Sequence, residues 1–278
     1  MAPRLRSARN ATLRALDRMA LLAPVYRAYE RMRAVRASEH WEDARELPIP
    51  PPRLRVEVAG TPEVEWFLES GRQQAEIIRS AAKRNGAPLD RLGRMLDFGC
   101  GCGRVLRHWA GLDGPEIYGS DYNERLAGWC AAHLLFVTAS VNRLEPPTGY
   151  ADGQFDLVYA ISVFTHLPHD LERGWIAELS RIVAPDGLLL LTTHGHSYAD
   201  RLEPDERASY DAGEVVVRWP SVAGSNLCTT FHPEAYVRER LAPEFELLEH
   251  TPDGGTVGSR QQDLVVFRKP APGTAAQL

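Results

Sequence analysis

Glycine and cysteine alternate from Gly99 to Gly103 in the stretch LDFGCGCGRVLRHW, residues 96–109, and two chemistries compete there. Cys100 and Cys102, one residue apart, read as half of a metal or redox site. Gly99, Gly101 and Gly103 read as a turn in which a ligand approaches the main chain with no Cβ in the way. A closed zinc site needs four ligands in tetrahedral reach. Here the pair would need distant Cys130, Cys228 or histidines, with no C-x-x-C or H-x-x-x-H partner in the chain. The sequence therefore predicts no metal, with the cysteines as small fillers of the turn.

The glycine reading gains from its surroundings. Asp97 closes the apolar run before the turn. A second run, EIYGSD, ends in Asp121, 24 residues after Asp97. A carboxylate at the end of a second strand suits the paired hydroxyls of a ribose, although Asp121 also suits a helix cap. The dinucleotide fingerprint G-x-G-x-x-G is broken, because Arg104 stands where its third glycine would fall.

The elements that must carry these residues follow from periodicity. MLDFG, EIYGSD, LLFVTASV, FDLVYAIS and LLLLTTHG are strand-like, and RVLRHWAGL, ERLAGWCAAH and DLERGWIAELSRIVA between them are helical. Such alternation predicts βαβ units, with a mostly parallel sheet between helices. FELLEH and DLVVFRK are joined by a link too short for a crossover helix, so they are expected to pair antiparallel. Upstream, residues 61–85 are helical in pattern, with Gly71 as a candidate break and Asn85-Gly86 as the stop. LPIPPPRL (47–54) reads as a connector that is neither regular helix nor central strand.

Charge divides the 278-residue chain unevenly. Residues 1–38 hold nine arginines against Asp17 and Glu30, a balance of +7, which leaves −12 of the net −5 to the other 240 residues. Residues 11–37 have apolar side chains at helical spacing, broken near Pro24, with the arginines between them. This basic amphipathic arm is expected to lie on the protein's own acidic body or on a membrane surface. The acidic body argues against bulk nucleic-acid binding. Four cysteines do not make a disulfide framework, and no apolar run has bilayer-spanning length, so a cytoplasmic protein is expected. The expected divisions are a helical arm (1–46), a proline-rich connector (47–60), a main domain (61–270) with an insertion or lid at 197–231, and a tail (271–278).

LDFGCGCG, followed by YGSDYN, FDLVYAISVFTHLP, APDGLLLLTTHG and the FELLEH…QDLVVFRKP hairpin, resembles the class I S-adenosylmethionine-dependent methyltransferases over residues 75–270. The resemblance implies an α/β, Rossmann-like sheet of seven strands in the order 3-2-1-4-5-7-6, the last antiparallel. It implies S-adenosylmethionine as cofactor, with Asp97, Gly99, Cys100, Gly101 and Gly103 around its methionine part and Asp121 on its ribose. Tyr122 would lie beside the adenine, and Asn142 would accept from the adenine amino group where the family often has aspartate. Ala160, Ile161 and Ser162 would pass close to the sulfonium.

Methyl transfer to a hydroxyl releases a proton, so a general base helps. His194 is the first candidate, followed by His232, His196 and His166. The insertion's Tyr198, Tyr210, Trp219 and Phe231 would line an acceptor pocket or form a small core of their own. ISVF after the fourth strand lacks the Asn/Asp-Pro-Pro-aromatic motif of DNA amino-methylating enzymes. The expected acceptor is a small metabolite, a natural product or a glycan intermediate, with membrane contact through the arm and no nucleic acid. A nicotinamide-dependent oxidoreductase and a non-catalytic cofactor-binding scaffold stay open at this point.

Overall fold

The computed structural model describes residues 3–35, 47–255 and 262–271. Its centre is a seven-stranded sheet. Strands β1 (Arg94–Phe98), β2 (Glu116–Asp121), β3 (Val137–Val141), β4 (Phe155–Ala160) and β5 (Val183–Thr193) run parallel. Two short strands, β6 (Val216–Arg218) and β7 (Thr229–Phe231), form a separate antiparallel hairpin. The closing pair, β8 (Glu246–Thr251) and β9 (Asp263–Arg268), completes the order β3-β2-β1-β4-β5-β9-β8, with β9 antiparallel to both neighbours. Setting aside β6 and β7, this is the expected 3-2-1-4-5-7-6 arrangement.

Helices cover both faces, and strand alternation divides the core between them. Met95, Leu157, Leu188 and Val266 point to one layer, Leu96, Val158, Leu189 and Val265 to the other. All eight are buried. Burial on both faces is why these strands read as continuous apolar runs.

Four expectations are corrected. The arm divides into α1 (Pro3–Arg18) and α2 (Leu22–Val35), but the break is at Ala20, whose φ is +55°. Pro24 sits within the first turn of α2, where a missing N–H costs nothing. The proline connector is only partly irregular, since Pro52 opens a helix, α3 (Pro52–Ala59), as an N1 residue. Helix α4 (Val64–Arg84) runs straight through Gly71. There a Cβ would lie 2.0 Å from the Arg104 carbonyl oxygen, so Gly71 is a contact point rather than a break. After β1, RVLRHWAGL supplies only a 3₁₀ turn, Leu106–Trp109, because left-handed Gly103 and Gly111 bracket it.

Helix α5 (Glu124–His133) follows β2, and α6 (His169–Ile182) follows β4. The insertion contains α7 (His196–Ala199), α8 (Pro204–Asp211) and the β6–β7 hairpin, and α9 (Glu234–Glu239) follows it. Its aromatic residues make small cores: Tyr198, Tyr210 and Phe231 cluster together, while Trp219, Val222 and Cys228 bury Leu22 of α2. The arm thus lies on the insertion, helped by the Asn10 amide donating to Glu203 at 2.7 Å.

Candidate active site

A cavity of about 460 Å³ opens where β1, β2 and β4 end. Its floor is the Gly99–Gly101 turn, with Asp97 and Asp121 at the strand ends and Asn142 just past β3. Ile161, Ser162 and His166 line it from the segment after β4. Its cover comes from three places: Tyr26 and Glu30 of α2, Glu57 of α3, and residues 221–226 of the insertion.

The strand ends hold two unusual carboxylates. Asp97 is buried with Tyr159 hydrogen-bonded to it, and desolvation pushes its pKa up to about 8, against the opposing effects of Tyr159 and the Arg104 guanidinium. Asp121 accepts from the Gly101 N–H at 2.9 Å through Oδ2 and from the Asn123 N–H at 2.8 Å through Oδ1. Burial raises it to about 6, and those two donors limit the rise. The same carboxylate therefore pins the glycine turn to the end of β2. The helix cap is its neighbour, Asn123, whose side chain accepts from the Arg125 N–H.

Gly101 has φ +56°, and a Cβ there would lie 2.6 Å from Val58 Cγ2 on α3, so only glycine lets this helix close over the turn. Gly103 and Ala160 lie outside the cavity lining. Gly103 packs against Leu134 and Cys130, where a Cβ would come within 2.6 Å of Leu134 Cδ1.

Cys100 reaches the cavity, but Cys102 and Cys130 are wholly buried. Contact with Cys130, and then burial, pushes the Cys100 thiol well up; burial does the same to Cys102. Both stay protonated at neutral pH, unlike metal-binding or reactive thiolates. The described residues contain no group of three or more side chains placed to hold a metal ion.

Asn142 carries an informative atom. Its Nδ2 donates to the Arg143 carbonyl at 2.6 Å, while its Oδ1 is buried without a hydrogen-bond partner. An orphaned acceptor beside a cavity fits a ligand that brings its own N–H donor. Together, the buried carboxylates, the pinned turn and this orphaned oxygen suit a ligand that carries a cationic group, hydroxyls and an N–H donor.

The four histidines separate clearly. His166 lines the cavity, and its Nδ1 donates to the Cys228 carbonyl at 2.6 Å. In the neutral ring this leaves Nε2 as the basic nitrogen. His194 lies in the layer behind, with ring centroids 6.1 Å apart, stacked at 3.8 Å on Tyr198 and donating to Thr230 at 3.2 Å. Burial, with His166 and His232 nearby, holds its pKa well below the usual range. His232 is buried against Glu172, Nε2 to Oε2 at 2.6 Å, and His196 is exposed at the start of α7. Of the four, only His166 lines the cavity, although sequence order favours His194.

Strand spacing also hid some site features. Ser162 adopts φ +60° at the end of β4, with its N–H on Thr192 Oγ1 at 2.8 Å and its hydroxyl on Gln262 at 3.0 Å. Strained non-glycine residues of this kind cluster at functional sites. Glu57 joins the cover to the cofactor side, accepting from Asn123 and Arg125 at 3.0 Å. Burial, together with the Glu57 charge, raises Glu30 on α2 to about 7. No pattern in the sequence links residues 26–57 to the turn at 99.

A family model described as a methyltransferase domain matches residues 70–250, well over half of the chain. The chain belongs to this family. A class I methyltransferase domain is an S-adenosylmethionine-binding fold, which leaves the nicotinamide alternative without support. The chain is 26% identical over 182 residues to the chloroplastic tocopherol O-methyltransferase of Arabidopsis thaliana. That match covers 60% of this chain and 48% of the relative, so the chain spans about half of that enzyme's length.

Two solved structures share the fold. A Mesorhizobium loti S-adenosylmethionine-dependent methyltransferase aligns with TM-score 0.52 at 18% identity, over 68% of this chain and 96% of that one. The glycopeptide N-methyltransferase MtfA, complexed with sinefungin, aligns with TM-score 0.51 at 19% identity, over 71% of this chain and 94% of that one.

Proposed function

We propose that the protein transfers the methyl group of S-adenosylmethionine to an oxygen or nitrogen of a small acceptor, with His166 as the base where a proton must leave. The carrying observation is that Asp97, Asp121, Asn142 and His166 all line one cavity. The O-methyltransferase relative favours oxygen as the acceptor atom.

The cofactor, when bound, supplies a methyl group on a sulfonium open to in-line displacement. Asp97 receives its ammonium group, Asp121 its ribose hydroxyls and Asn142 Oδ1 its adenine amino group. Gly99, Cys100 and Gly101 form the close-approach surface, Tyr122 flanks the adenine, and Ile161 and Ser162 bound the methyl side. His166 Nε2 takes the acceptor proton while Nδ1–H stays on the Cys228 carbonyl, which holds the ring still. Residues 221–226, α2 and α3 cover the cavity and exclude water, so alignment rather than strong acid–base chemistry does most of the work. The acceptor in this reading is a small metabolite, natural product or glycan intermediate.

Two measurements test this reading. Titration calorimetry should show S-adenosylmethionine binding that Asp121→Ala abolishes. A panel of hydroxyl- and amine-bearing metabolites with methyl-labelled cofactor should then give a labelled product. Cofactor binding with no labelled product across the panel and a cell lysate favours a non-catalytic scaffold.

A further inference from the structure

Nine large apolar side chains are exposed among the described residues, and Met19, Leu21, Val25, Tyr29, Met32 and Val35 are six of them. At the helical repeat, Leu21, Val25, Tyr29, Met32 and Val35 fall within about 120° of one side of α2. Val35 is 84% exposed and Met32 51%, so this is an uncovered stripe rather than a partly packed one. The opposite side of α2 is occupied: Leu22 is buried under Trp219, while Tyr26 and Glu30 line the cavity.

Arginines border the stripe. Arg27 and Arg31 lie along one edge and also line the cavity, which places them at its rim. Arg33 lies along the other edge, its guanidinium 5.9 Å from the Tyr29 ring centre. A contiguous apolar stripe with basic edges is the pattern of a helix that lies in a lipid interface.

The charge distribution selects the occupant. A second copy docked through the same stripe would set Arg27, Arg31 and Arg33 of one protomer near those of the other, which like-charge repulsion opposes. An anionic bilayer takes the apolar stripe at its acyl boundary and the arginines at its phosphates. The +7 of residues 1–38 is drawn to that surface, and the −12 of the remainder is repelled from it, which sets one orientation. Among the described residues no helix is long and apolar enough to cross a membrane, so the contact lies in the plane of the interface.

We propose that the outer face of α2 docks the protein on an anionic lipid surface. Docked in this way, Arg27 and Arg31 hold the cavity rim at head-group level. The docking is independent of the catalytic reading, and its test needs no acceptor.

The test is sedimentation of the full chain with vesicles of equal parts phosphatidylcholine and phosphatidylglycerol, against phosphatidylcholine alone. The wild-type chain should partition at least about tenfold more strongly onto the anionic vesicles, and high salt should weaken that binding. Val25→Glu with Met32→Glu should reduce it by roughly tenfold or more. Both sites are exposed, so thermal unfolding and calorimetric S-adenosylmethionine affinity should match wild type. Equal binding by the double variant, or no anionic preference in the wild type, overturns the proposal. So does a wild-type dimer in sedimentation velocity that the double variant loses without any vesicle binding, because the stripe is then a contact between copies. Vesicle binding without S-adenosylmethionine binding leaves the docking standing and removes the methyltransferase reading.

Discussion

Tyr159 sits directly across from Asp97 in the β1–β4 ladder, and its hydroxyl donates to the buried Asp97 carboxylate. Behind it, Trp109 Nε1 donates to the same hydroxyl oxygen at 2.8 Å. All three side chains are buried. The carboxylate near the end of β1 is therefore oriented from the core, by a partner that never reaches the cavity.

Removing that partner should be felt at the cofactor. Tyr159→Phe leaves Asp97 with less support for its charged form, so its pKa should rise above about 8. The expected loss in S-adenosylmethionine affinity at neutral pH is about tenfold, or ~1.4 kcal/mol. Calorimetry at two pH values checks it: a positioning role predicts that the deficit shrinks as pH rises, whereas simple unfolding does not.

The wild-type protein should show its own pH dependence. Asp97 is raised, so below about pH 8 the cavity is largely protonated at this site before the cationic cofactor arrives. Binding must then expel a proton, and affinity should fall as pH drops below about 8, with proton release measurable in buffers of different ionisation heat. Asp97→Asn should flatten the profile.

His166→Asn keeps a donor for the Cys228 carbonyl and removes the basic Nε2. The rate of methyl transfer to a hydroxyl acceptor should fall by about 10²–10⁴ with cofactor affinity unchanged. His194→Asn, one layer behind, should cost stability more than turnover. An equal loss of turnover in both variants would remove the distinction.

His232 and Glu172 form a buried pair, with Tyr236 also donating to Glu172 at 2.5 Å. Burial pushes the carboxyl up, but His232 and Tyr236 bring it below its ordinary value. Such a carboxylate stabilises the fold above its unfolded pKa, and that contribution is lost as pH falls through the lower folded value. His232→Ala leaves the charge uncompensated and should cost roughly 3–5 kcal/mol in denaturant unfolding.

Gly71→Ala places a methyl group against the Arg104 carbonyl, which cannot move without shifting the turn after Gly103. Despite alanine's higher helix propensity, the substitution should destabilise by about 1–3 kcal/mol. A stabilised variant would show that α4 slides freely.

The sheet was readable in the sequence because its central strands, β1, β4, β5 and β9, are apolar runs buried on both faces, and because the β8–β9 link is too short to permit a parallel crossover. The cofactor turn was readable for a local reason: Asp97, the glycines and Asp121 lie within one βαβ unit, where Asp121 accepts from the Gly101 N–H, whereas the contacts of Tyr159 with Asp97 and of Val58 with Gly101 come from outside it. The extent of α4 and the role of Gly71 were not, since glycine serves equally as a helix break and as a contact point, and only the Arg104 carbonyl distinguishes them.

The amino-acid order by itself determined the alternating strands and helices, the closing antiparallel pair and the glycine turn, all of which rest on short-range periodicity and spacing, while the strand order and the methyl donor came from the family resemblance that those motifs carry. Tertiary structure decided which histidine meets the cavity, what covers it, and which side of α2 is left bare. Those are contacts between segments scores of residues apart, where His166 and His194 differ by one packing layer and not by any feature of their local sequence.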